Sequence, residues 1–147
     1  MAHDFTDHTA EATTKPFSDL KKAAIAGDWE TVDSMLANKD TVETILKPAT
    51  VAWALGGGLR DTDDNVRDLA ATILGKVERK DFGDLPPDAV LAMEDQMTND
   101  SSSYVRYRLA FALANRIPKD KRSVQLVATL EDAARDPDVE EIAKKYL

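Results

Sequence analysis

The side chains whose types and spacing could do chemistry form two matched sets. Asp61 and Arg67 recur 39 residues later as Asp100 and Arg106. The acid–base content of each set allows a catalytic or ligand-binding role, and Asp63 and Asp64 could act as acid and base. Repetition argues for structure instead, because a reaction needs its groups once. Asp61 and Asp100 precede expected helix N-termini, where a carboxylate accepts unpaired N–H groups and interacts favourably with the dipole. Asp63 and Asp64, at a helix start, are explained by capping in the same way. His3 and His8, each near an Asp, lie in a polar opening stretch that lacks the fixed ligand geometry of a metal site. No cysteine is present, which excludes disulfides, thiolate ligands and cysteine nucleophiles. Gly56-Gly57-Gly58 lacks the Lys-Ser/Thr and preceding strand of a phosphate loop, so it reads as a loosened helix end. No catalytic set, metal site or cofactor is expected.

A second cluster is aromatic. Tyr104, Tyr107 and Phe111 fall within about 60° on a helical wheel, opposite Val105, Leu109, Ala112 and Leu113. A single apolar seam does not account for both sides of one helix. Arg108 stands at the edge of the stripe, where it could anchor a carboxylate or stack on a ring. The corresponding face of the preceding repeat carries Asn65, Asp68 and Thr72, and that of the last carries Asp138, Glu141 and Lys145. Aromatics with a polar rim are the makeup of a recognition hot spot. The competing reading places these rings under the N-terminal hairpin or the tail. Trp29 and Trp53 read as core or helix-interface residues.

With 27 acidic against 19 basic side chains, the net charge of -8 repels phosphate backbones and argues against nucleic-acid binding. No apolar run approaches the roughly 20 residues of a membrane span, and the N-terminus lacks the layout of a secretion signal. The expectation is a soluble, cytoplasmic protein of one compact domain, residues 16–147, behind a mobile tail at 1–15.

The elements that would position these residues are helices. After Pro16, Ser18 is expected to cap a helix carrying Leu20, Ala23 and Ala24, which Gly27 ends. Asp28 caps a second, with Val32, Met35 and Leu36 inward, and 40–46 adds a short turn or two. A helix at 49–59 is followed by one from Asp64 with Val66, Ala70, Ile73, Leu74 and Val77 on one face. A polar connection at 78–84 leads to Pro86-Pro87, which opens a helix carrying Ala89, Val90, Met93 and Met97. Further helices are expected at 103–117, at 119–134 and from Asp136-Pro137 to Leu147. No stretch alternates with period two, so no sheet is expected.

The match between repeats extends beyond the charged pair. Asp61, Val66, Arg67, Ala71 and Leu74 recur as Asp100, Val105, Arg106, Ala110 and Leu113, with a looser copy at Val139, Ala143 and Leu147. Repeats of about this length stack helical pairs that cannot bury their apolar faces alone. The segments DTDDNVRDLAATILG and DSSSYVRYRLAFALA resemble the second helix of the HEAT-repeat family, in the short bacterial and archaeal form related to phycobilisome-lyase-type repeats. In the third copy Glu140 stands where Arg belongs. The resemblance implies an all-α fold, a right-handed α-α superhelix (solenoid) of about four antiparallel helical hairpins. It implies that Arg67 and Arg106 pair with Asp residues of neighbouring repeats, as a ladder with Asp61 and Asp100. It also implies a concave face lined by second helices, here by Tyr104, Tyr107, Arg108, Phe111, Asn65, Asp68 and Thr72. The function this implies is a non-catalytic scaffold or adaptor for a protein or peptide partner, with weak self-association through an exposed end. The alternative is a lyase or chromophore-handling protein of the phycobilisome-lyase type.

Overall fold

A computed structural model describes residues 14–77 and 85–147. The expected tail up to residue 13, with His3 and His8, and the expected connection at 78–84 lie outside the described residues. Every regular element among the described residues is helical, and the residues fall into two compact units, one ending at Val77 and the other reaching Leu147.

The first unit opens with α1 (Lys15–Ile25). Its cap is Thr14 rather than Ser18: Phe17 N donates to Thr14 Oγ1 at 3.3 Å, and Pro16 occupies the first turn. Proline needs no amide partner there, so the helix begins ahead of Pro16 and not behind it. Gly27, at φ +74°, supplies the left-handed residue that ends α1. Asp28 caps α2 (Trp29–Ala37) by accepting from Thr31 N at 3.2 Å, and Asn38 caps α3 (Lys39–Ile45) by accepting from Thr41 N at 3.0 Å. Helix α4 (Pro48–Trp53) runs directly into a π-helical turn, Ala54–Gly58, where Leu59 N donates five residues back to Ala54 O at 3.1 Å.

The glycine run is therefore not a frayed end. A Cβ on Gly58 would lie 2.8 Å from Ala70 Cβ and 3.1 Å from the Trp53 ring. The bare backbone lets this turn lie against α5 (Asp64–Lys76), which also contacts α1 and α4. Trp53 meets Phe17 edge-on at 4.9 Å between centroids, and Lys21 Nζ stands 5.5 Å from its ring. On α5, Val66, Leu69, Ala70, Ala71, Ile73 and Leu74 are all buried.

In the second unit, α6 (Pro87–Asn99) and α7 (Ser103–Ala114) face each other across a three-residue turn. Met93 and Met97 of α6 are fully buried, as are Val105, Leu109, Ala112 and Leu113 of α7. The helix expected at 119–134 is split. A 3-10 turn at Lys119–Lys121 precedes α8 (Val124–Ala133), because extended Arg122 and Ser123 interrupt the helical path and Ser123 Oγ accepts from Leu126 N at 3.1 Å. Helix α9 (Glu140–Tyr146) closes the unit. Val139 and Ala143 are buried as the looser repeat requires, but Leu147 is 43% exposed. Tyr146 turns inward in its place.

Helix α7 contacts α6, α8 and α9, and so is covered on more than one side. Packing thus accounts for apolar residues on a second side of this helix, which the α6 seam alone does not explain. Ala110, Phe111 and Ala114 are buried along with the α6-facing residues.

Candidate interaction site

The repeated Asp and Arg residues build the same local device in each unit. Asp61 Oδ1 accepts from Asp63 N at 2.9 Å, and Asp63 in turn caps α5 through Asn65 N at 2.8 Å. Asp100 Oδ1 likewise accepts from Ser102 N at 2.9 Å, and Ser102 is the cap of α7. Asp136 Oδ1 repeats the contact with Asp138 N at 2.9 Å ahead of α9. Each is an aspartate-stabilised turn feeding a helix start. Arg67 Nη1 donates back to Asp61 O at 3.0 Å, and Arg106 Nη1 to Asp100 O at 2.6 Å. The guanidinium thus clamps the carbonyl side of its own repeat's turn. This was not anticipated, although the constant six-residue spacing was the signal for it.

The aromatic residues of α7 separate into two groups. Tyr104 is 39% exposed and meets Tyr107 edge-to-face, with centroids 6.3 Å apart and planes at 86°. The Tyr104 hydroxyl donates to Asp138 Oδ2 at 2.6 Å. That bond, with partial burial and the negative charges of Asp136 and Asp138, pushes its pKa up to about 12. Tyr107 and Arg108 are half-buried. Phe111 is only 6% exposed and stacks on Tyr146, with centroids 5.7 Å apart and planes at 18°. Tyr146 is fixed at three points: its hydroxyl donates to Asn115 Oδ1 at 2.9 Å, its carbonyl accepts from Arg122 Nη1, and its ring covers Phe111. Phe111 is thus covered within its own unit, by the last helix.

In the first unit, Asn65 and Thr72 are half-buried, whereas Asp68 is 7% exposed. Thr72 Oγ1 donates to Asp68 O at 2.9 Å, which turns that hydroxyl back onto the helix.

A further feature went unread in the sequence. The start of α6 and the end of α7 leave a cleft of about 690 Å³ lined by Leu85, Pro87, Val90, Leu91, Leu113 and Ile117, with Arg116 beside them. Leu91 is 65% exposed. Its place off the Met93–Met97 face of α6 was the available signal.

Among the described residues no group of three or more His, Cys, Asp or Glu side chains could hold a metal ion, and no helix is long and apolar enough to cross a membrane. No protein-family model matches the chain, and no curated protein or solved structure matches it.

Proposed function

We propose that this protein is a non-catalytic interaction scaffold of HEAT-like repeats that holds a protein or peptide partner, with Tyr104 and Tyr107 as its anchoring side chains. The observation that carries this reading is the Tyr104–Tyr107 pair. The two rings meet at right angles, and one hydroxyl is tied to Asp138. Rings held in one arrangement before binding lose little freedom when a partner covers them. Tyrosine also offers apolar area and a polar tip, the combination that dominates interface hot spots. Phe111, expected in the same surface, contributes instead to the packing beneath it. Support for the repeat itself comes from the Asp turn and its Arg clamp, built alike at Asp61–Arg67 and Asp100–Arg106.

The test begins with proteins that co-purify from the native cell extract, followed by affinity measurements on the partner so identified. A Tyr104→Ala/Tyr107→Ala double variant is expected to lose more than about 2 kcal/mol of binding free energy while keeping its helical circular dichroism. Affinity equal to that of the unaltered protein removes this surface from consideration.

A further inference from the structure

The cleft between the start of α6 and the end of α7 lies away from the tyrosines. Leu113, on its wall, is nine residues beyond Tyr104, about 13 Å along the helix axis. Its lining is aliphatic, with Leu85, Val90, Leu91 and Ile117 among the contributors. Three general modes of peptide recognition can be weighed against that lining. Strand addition needs an exposed sheet edge, and no strand occurs among the described residues. Proline-rich segments dock on aromatic walls, and none of the described residues that line this cleft is aromatic. The mode that suits a trough between two helices is an amphipathic helix laid into it, with residues three and four apart as anchors.

Charge narrows the partner. In a chain of net charge -8, the stretch Arg116-Ile117-Pro118-Lys119-Asp120-Lys121-Arg122 carries four basic side chains against one acidic. Arg116 and Ile117 line the cleft, and Lys119 and Lys121 follow as exposed residues. Arg122 is committed elsewhere, to the carbonyls of Ile117, Ala114 and Tyr146. Asp88, exposed after Pro87, is the acidic residue at the opposite, α6 edge. We infer that this cleft is a second docking site, which takes an acidic amphipathic helix of another protein. Its aliphatic anchors fill the space around Leu91, and its carboxylates lie toward Lys119 and Lys121. The inference stands on the cleft alone and holds whether or not the tyrosines bind a partner.

The experiment is an NMR titration of the full ¹⁵N-labelled chain with a synthetic amphipathic peptide bearing Leu at helical spacing and Glu along both flanks. The same peptide with Lys in place of every Glu is the comparison. Amide shifts are expected at Leu85, Val90, Leu91 and Ile117 with the acidic peptide, and about tenfold weaker binding with the basic one. Leu91→Lys, at an exposed position that tolerates the change in folding, weakens the acidic peptide by about tenfold or more. Val124→Lys replaces another highly exposed aliphatic residue and leaves it within about twofold. A Lys119→Glu/Lys121→Glu variant reverses the preference between peptides. Absence of shifts at the cleft, equal affinity for both peptides, or no effect of Leu91→Lys overturns the assignment. Loss of binding in the tyrosine double variant with retention here separates the two surfaces.

Discussion

At Gly58 one carbon atom sets how closely two helical segments approach. The π-helical turn rests on Ala70 and under the Trp53 ring, and a Cβ at this position would be 2.8 Å from the first and 3.1 Å from the second. Ala70 lies on a regular helix and cannot withdraw as the tip of a flexible side chain would. Trp53 is held in turn by Phe17. Gly58→Ala is therefore expected to lower stability by about 1–3 kcal/mol, the usual result of inserting a carbon into a filled interior. Gly57 is the internal control. It belongs to the same turn, but a Cβ there meets nothing within 4 Å. Gly57→Ala should be neutral or stabilising by up to about 1 kcal/mol, since alanine loses less backbone freedom than glycine on ordering. Chemical denaturation of both variants checks the pair, and equal midpoints would refute the close-approach account.

The Tyr104–Asp138 bond joins elements, because it ties the turn before α9 to the first turn of α7. Asp138 holds the neutral phenol in the folded protein and pushes its pKa up to about 12, from the ordinary value of about 10. A group whose folded pKa is raised contributes stability that is fully present below the unfolded pKa. The contribution of this bond is thus intact below pH of about 10 and lost as pH rises through about 12. Ultraviolet difference titration of the protein against Tyr104→Phe should resolve this late phenol. Asp138→Asn should bring it back toward the ordinary tyrosine value, and an unmoved titration would mean the bond does not form in solution. The repeat register sets Asp138 at the position that matches Tyr104, but the bond between them was not legible, because it spans 34 residues. The same distance effect hid the fate of Phe111. Periodicity placed it opposite the α6-facing residues, but only tertiary structure brings Tyr146 over it and makes α7 a central helix. Local signals served better where the cause is local: Gly27, Asp28 and the Pro86-Pro87 opening act where their residue types predict. The cleft was illegible for the opposite reason, since it consists of what two helix ends leave uncovered.

For the molecule as a whole, charge is the property that the sequence states outright and the fold only distributes. The net charge is -8 and the isoelectric point about 4.7. Large exposed apolar side chains among the described residues, such as Ile25, Leu91 and Val124, lie on different helices. Of these three, Leu91 lines the α6–α7 cleft, and an exposed apolar side chain outside such a patch does not by itself drive stable association. Like-charged copies then repel at neutral pH, and that repulsion reaches only about 10 Å at 0.1 M salt. Weak self-association, if built into the surface, should accordingly be masked in dilute buffer and emerge as repulsion is removed. Multi-angle light scattering at pH near neutrality and low salt is expected to give the mass of one chain, 16.2 kDa. The apparent mass should rise with protein concentration once salt is added or the pH is lowered toward 4.7. Leu91→Lys separates the sources of any such rise. If a second copy competes for the α6–α7 cleft, this variant abolishes the concentration dependence at added salt; if general loss of repulsion is responsible, the variant scatters like the unaltered chain. A mass of two chains already present in dilute, low-salt buffer would refute the repulsion argument, because it would require an interface strong enough to overcome a net charge of -8 on each partner.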